Sequence, residues 1–306
     1  MSSEFRNETS VLRNYFRPGD VFILDRGFRD VIDELHSHGY KTYMPESLLE
    51  GKNQLTTEQA NRSRCVTMCR WVVEVVNGRI KRDFKLFRQE YFNRASTHLM
   101  LDFNIACALL NKFHAPIADR LDAQQFLELA KTRLNTINHL GAYIQNENIN
   151  RRRAIFLTID AEHPHLDTFP RLTLYDLMTV ALGSYQLKQA RSYYGEHVRR
   201  NGKYEIELAN DIEDDLPLIL GMDKYLVRGQ IKSRNVSSKV YYAYILVNRA
   251  TSNSLADIAG YYCNCLVGNR TVGCCAHVMT ILWYLSWARF RTVEPPAPFL
   301  DDIFYE

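Results

Sequence analysis

The stretch Tyr262–Ala288, YCNCLVGNRTVGCCAHVMTILWYLSWA, constrains this chain more than any other. Cys263 and Cys265 stand one residue apart. Cys275 and His277 stand one residue apart at the entry to an apolar run of helical spacing. Structural zinc takes four Cys and His ligands in a tetrahedron. A Cys-x-Cys on a strand turn and a Cys-x-His at a helix mouth can supply them. Between the pairs lie Gly268, Asn269 and Gly273, which let a loop fold back on itself. The competing reading is a disulfide framework in a small secreted domain. It conflicts with an N-terminus, MSSEFRNETSVLRNYF, that lacks an apolar signal core, and with only seven cysteines in 306 residues. The expectation is one zinc held by Cys263, Cys265, Cys275 and His277, with Cys274 a bystander.

The same spacing, over about residues 257–284, resembles the SWIM-type zinc finger. The resemblance implies a small strand-strand-helix unit with those four residues as ligands. It also implies a unit that binds DNA or protein partners and is not itself catalytic.

Bulk numbers set bounds. Apolar residues make up 46% of the chain, as in packed globular proteins. The net charge is +3, so any polyanionic partner has to be argued from where the charges fall. No apolar run approaches the roughly 20 residues of a membrane span, and no membrane partner is expected.

Near the N-terminus, Pro18-Gly19-Asp20 precedes the β-type run VFILD, a helical pattern over 29–38 and a second β-type run at 40–44. This spacing predicts a parallel strand pair joined by a right-handed crossover. It puts Asp25 at the carboxyl end of a strand, where open α/β sheets carry their active groups. Over 61–81 a helix is predicted, with Val66, Cys69, Val73 and Val76 on one face and Arg70, Glu74, Asn77 and Lys81 on the other. Glu74 has two readings, a rim residue paired with Arg70 four positions earlier or a metal ligand facing Asp25.

Asp25-Arg26-Gly27-Phe28, then Leu55-Thr56, Asn61 and Arg64, then Arg70-Trp71-Val72-Val73-Glu74 with Asn77-Gly78 and Lys81, resemble the endonuclease domain of Harbinger-type DDE transposases. The resemblance covers about residues 20–111. It implies a ribonuclease H-like fold, an acidic triad holding two Mg²⁺ ions, phosphodiester cleavage on DNA and a nuclear location. By it, Asp25 is the second triad carboxylate and Glu74 the third. The family's first Asp lies on an earlier strand, whereas Glu4 and Glu8 are the only acids before Asp20 here. The expectation is a transposase-derived chain cut off at its N-terminus and inactive alone. A non-catalytic, zinc-dependent adaptor for DNA or protein is the alternative.

Further on, 98–113 reads as an apolar helix buried on most sides. Leu127, Ala130, Leu134 and Ile137 mark a one-faced helix over 122–140. Thr173-x-x-Asp176 is a capping-box pattern before a helix ended by Gly183, and a second helix follows from Tyr185. Three β-type runs, 225–232, 240–247 and 258–263, complete the pattern. The expected fold class is α/β. It comprises a polar leader (1–19), a partial ribonuclease H-like core (20–113), a helical linker region (114–223), a small antiparallel sheet plus helix holding zinc (224–291) and an extended tail (292–306).

Overall fold

The computed structural model describes Asn7 and Val236 together with residues 14–88, 98–160, 163–200, 204–209, 223–234, 238–249 and 252–291, with backbone alone for 197–200. The Pro-rich tail and most of the leader, including Glu4 and Glu8, lie outside the described residues. The chain is mixed α/β and divides into two compact units, one of residues 1–45 and 65–123, the other of 46–64 and 124–306. Among the described residues no helix is long and apolar enough to cross a membrane.

In the first unit, β1 (Val21–Ile23) pairs in parallel with β2 (Lys41–Tyr43), as the strand-helix-strand pattern predicts. A 3-10 turn over Arg26–Val31 and the helix α1 (Ile32–Ser37) make the crossover. Leu24, Val31, Leu35 and Tyr40 form a small core, and the Phe22 ring packs between Phe16 and Tyr40 at 4.8 and 5.1 Å.

Three helical expectations need correction, two of them between residues 57 and 113. The helix read over 61–81 is two helices, α2 (Thr57–Cys69) and α3 (Trp71–Asp83), broken at Arg70 where hydrogen bonds step from residue i to i−3. Its valine face is not a core face: Val73 is 50% exposed, and Ile80 is the buried residue of α3. The helix α4 (Leu99–Phe113) is not buried on most sides either. It buries Ala106 and Leu110 and leaves Met100 70% exposed and Phe113 73% exposed. Periodicity locates an apolar stripe but does not say what covers it.

The second unit takes in the first part of α2, where Ala60, Asn61, Ser63 and Arg64 are buried. There follow α5 (Ala123–Leu134), α6 (His139–Asn146), β3 (Phe156–Ile159), α7 (Leu174–Ala181), α8 (Tyr185–Arg200) and β4 (Glu205–Ala209). The chain then runs through β5 (Lys224–Lys232), β6 (Val240–Asn248), β7 (Ile258–Cys263) and α9 (Ala276–Ser286). The helix read over 122–140 stops at Leu134. Phe126 and Ala130 are its buried residues, while Leu127 faces out and Ile137 lies beyond its end. The capping box of Thr173 and Asp176 starts α7 as expected, and Leu182, in the left-handed region at φ 53°, ends it in place of Gly183.

The strands β3-β4-β5-β6-β7 form one antiparallel sheet in sequence order. The three β-type runs read from sequence are β5, β6 and β7. Two further strands, β3 and β4, come from the stretch read as helical. Runs this short leave periodicity too few residues to separate strand from helix. One sheet face packs Val227, Ile231, Ala243, Ile245 and Val247 against α7, α8 and α9, with Trp283 and Leu282 fully buried. The other packs Leu226, Tyr244, Leu246 and Tyr262 against Leu140, Ile144 and Ile149. Because both faces are covered, β6 (VYYAYILVN) reads as a near-continuous apolar run.

Helix α9 lies close on the sheet because β5 carries Gly229 beneath it, where a Cβ would overlap the buried Ile281 side chain. β-Propensity alone would make Gly229→Val stabilising, whereas overpacking costs about 1–3 kcal/mol. The expected result is a lower melting temperature for Gly229→Val. An equal or higher one would contradict this packing of α9.

Candidate metal centre

The four expected ligands come together from two ends of one loop. Cys263 is the last residue of β7, and Cys265 follows in the turn. Cys275 is the N-cap of α9 and His277 its second residue. All four are buried, and their ligand atoms lie within 4.8 Å of one another. A tetrahedron with metal–sulfur bonds of about 2.3 Å has edges of about 3.8 Å, and Cys263 Sγ stands 3.7 Å from His277 Nδ1. The donor set therefore fits one metal ion. All seven cysteines are free in this structure.

Local backbone geometry fixes each sulfur. The Cys265 N–H donates to Cys263 Sγ and the Val278 N–H to Cys275 Sγ, each at 3.4 Å. The second of these is the N-cap bond of α9, so one contact starts the helix and aims a ligand. The turn closes where Gly268 N–H donates to the Cys265 carbonyl at 3.0 Å and Cys263 N–H donates to the Gly268 carbonyl at 3.1 Å. A Cβ on Gly268 would overlap the Cys263 carbonyl, so only glycine fits there.

Ionising all three buried thiols together would need a cation among them. Burial pushes the Cys263 thiol well above its ordinary value, and the neighbouring sulfurs of Cys265 and Cys275 push the same way. Cys265 also lies above its ordinary value, since its hydrogen bond with Cys263 is outweighed by the Cys275 sulfur and by burial. Burial opposes ionisation of Cys275 too, but hydrogen bonds from Cys263 and Cys265 and the His277 partner hold it well below its ordinary value. Metal binding uses three thiolates, and a positive ion among them would offset the cost of ionising them in a buried site. Cys274 is buried outside the ligand group, and burial beside Cys275 pushes its thiol up to about 12.

His277 is oriented from both sides. Its Nε2 lies 3.1 Å from the Tyr193 hydroxyl, and the Tyr241 ring stacks on it at 4.4 Å. With Nδ1 facing the sulfurs, the tautomer that binds metal carries its proton on Nε2 and donates it to Tyr193. Tyr193 is in turn held by Arg234, whose guanidinium lies 3.7 Å from the ring centroid and binds Glu196, Gln189 and Ser192. Nothing in the spacing of the chain marks Tyr193, Tyr241 or Arg234 as partners of this site. They reach it through the packing of α8 and β6.

The expected carboxylates lie in the first unit. Asp25 sits two residues past β1, where its Oδ1 accepts from the Arg26 N–H at 2.7 Å and its Oδ2 pairs with Arg70 at 3.2 Å. Arg70 thus engages Asp25, not Glu74, and brings Asp25 to the start of the helix that carries Glu74 one turn on. Both carboxylates are exposed. Among the described residues neither joins a cluster of three or more side chains able to hold a metal.

Residues 2–111 match the family described as DDE superfamily endonuclease. No curated protein and no solved structure matches the chain. The endonuclease match contains Asp25, Arg70 and Glu74, and ends well before the Cys/His cluster.

The purified 306-residue chain is expected to retain one metal ion. Cys263→Ser and Gly268→Ala should lose it and Cys274→Ser should keep it, as read by elemental analysis. Full metal content in Cys263→Ser would contradict the ligand set.

Proposed function

We propose that this chain is a transposase-derived, DNA-binding protein whose C-terminal part is organised by one structural zinc ion. The observation that carries the reading is the pairing of an endonuclease match over 2–111 with a buried three-cysteine, one-histidine cluster further along the same chain. Three thiolates and an imidazole suit zinc among the common biological metals. A catalytic zinc keeps an open position for water or substrate, and here all four ligands are buried. The role assigned to the metal is therefore structural.

The finer assignments belong to the same reading. The match is of Harbinger type, and residues 20–113 derive from a ribonuclease H-like domain. Residues 224–291 form a SWIM-type zinc finger, and residues 114–223 connect the two. The protein works in the nucleus. Asp25 and Glu74 are the positions at which a complete acidic triad would hold Mg²⁺. The residues present do not fit that pair of ions. Two-metal chemistry uses shared carboxylates around ions ~3.5–4 Å apart, and among the described residues Asp25 and Glu74 join no group of three side chains able to hold a metal. The absence of a third acid from such a group, among the described residues, favours the binding role over catalysis.

DNA contact would come from exposed cations such as Arg151, Arg152 and Arg153, since phosphate neutralisation releases counterions and makes affinity strongly salt-dependent. The test is fluorescence anisotropy with a labelled duplex, alongside a nuclease assay in Mg²⁺. Binding that weakens at least tenfold between about 50 and 200 mM salt, without cleavage, is expected. No binding at low salt would overturn the DNA-binding role, and robust Mg²⁺-dependent cleavage would overturn the non-catalytic one.

A further inference from the structure

The loop of residues 264–274 joins the two ligand pairs, and part of its backbone is satisfied by a segment more than 200 positions earlier. Gln54 reaches the turn from outside, its Nε2 donating to the carbonyls of Cys263 at 2.7 Å and Cys265 at 2.6 Å. Its Oε1 is fixed in place by Tyr262 Oη at 2.9 Å and Gln145 Nε2 at 2.8 Å. Leu55 N–H donates to the carbonyl of Leu266 at 3.0 Å. At the other end of the loop, the side chain of Asn61 is fully buried and acts as a two-sided clamp. Its Oδ1 accepts from the backbone N–H groups of Thr271 and Val272 at 2.8 and 3.0 Å. Its Nδ2 donates to Thr271 Oγ1 at 2.8 Å and to the Leu134 carbonyl at 2.9 Å. One turn further along α2, buried Arg64 donates to the carbonyls of Ala181 and Leu182, where α7 ends.

Gln54, Leu55, Asn61 and Arg64 lie inside the stretch that matches the endonuclease family, and the first three bind the metal loop. We infer that Gln54 and Asn61 are positioning residues of the metal centre, and that metal occupancy is thermodynamically linked to the folding of the first half of α2. This rests on the metal reading above. The physical reason is that without a metal no bond joins the Cys263–Cys265 pair to the Cys275–His277 pair, and only the backbone and ring contacts around each ligand remain. The carbonyls and N–H groups that Gln54 and Asn61 bind then lose their fixed spacing. A buried asparagine without its partners costs free energy, so the helix around it opens. Linkage is reciprocal, so whatever the metal adds to helix order, the clamp adds to metal affinity.

The test uses the full chain as purified. Hydrogen exchange is followed with and without a zinc chelator, and zinc affinity is measured by chelator competition for wild type, Gln54→Glu and Asn61→Asp. Gln54→Glu keeps the reach of the side chain and removes the donor to both cysteine carbonyls. Chelation is expected to release the amides of 57–64 while those of β1 and β2 keep their protection. Both variants are expected to bind zinc at least about tenfold more weakly, the range seen for outer partners of metal ligands. A merely structural role would lower the melting temperature of the variants equally with and without zinc and leave affinity unchanged, and that result overturns the proposal. So does unchanged protection of 57–64 on chelation in wild type, a measurement that needs no variant to fold. Wild-type protein that carries no zinc at all overturns the metal reading itself.

Discussion

Three sulfurs and an imidazole nitrogen packed within 4.8 Å in the dry interior form the constraint on which the second unit depends. Without a cation, burial keeps most of the thiols protonated, and the cluster is a set of polar groups with poor partners. With one, the same groups become four bonds joining the end of β7 to the start of α9. Structural zinc contributes on the order of 10–16 kcal/mol in small finger peptides, against a net stability of about 5–15 kcal/mol for a typical domain. On the proposed reading, a term of that size would decide whether this corner folds. The sheet and its helices are built around it. Gly229 lets α9 come down onto β5, Gly268 lets the turn close, and Tyr193 and Tyr241 fix the histidine ring.

The Cys/His cluster was legible from spacing because the geometry that groups such side chains is local. Cys-x-Cys and Cys-x-His place paired donors on one turn whatever the rest of the chain does. The strands β5, β6 and β7 were legible for a similar reason, being long enough to declare their period. What was hidden depends on distant chain. Asn61 and Arg64 stood out as motif residues of the endonuclease resemblance, yet in the structure they hold the metal loop and the end of α7. A buried asparagine in a helix interior is a signal that something unusual packs there, since its side chain otherwise competes with the helix. The sequence does not say what that is. The valine face of α3 and the apolar face of α4 show the opposite limit, a clear pattern whose expected burial is absent.

The endonuclease match and the metal centre are therefore not arranged as separate beads along the chain. The boundary between the two units falls inside α2, between Arg64 and Cys65. The half of the helix before it holds the metal loop. The half after it leads to Arg70, which pairs with Asp25. On the proposed reading, a fold that once positioned catalytic carboxylates now contributes binding surface and a clamp. This explains why Asn61 is fully buried and Arg64 nearly so while Asp25 and Glu74 lie at the surface.

X-ray absorption at the metal edge of the purified 306-residue chain addresses the central claim most directly. The account predicts a zinc edge with three sulfur ligands at about 2.3 Å and one nitrogen at about 2.0–2.1 Å. A first shell dominated by oxygen, or one with fewer than three sulfurs, would contradict it.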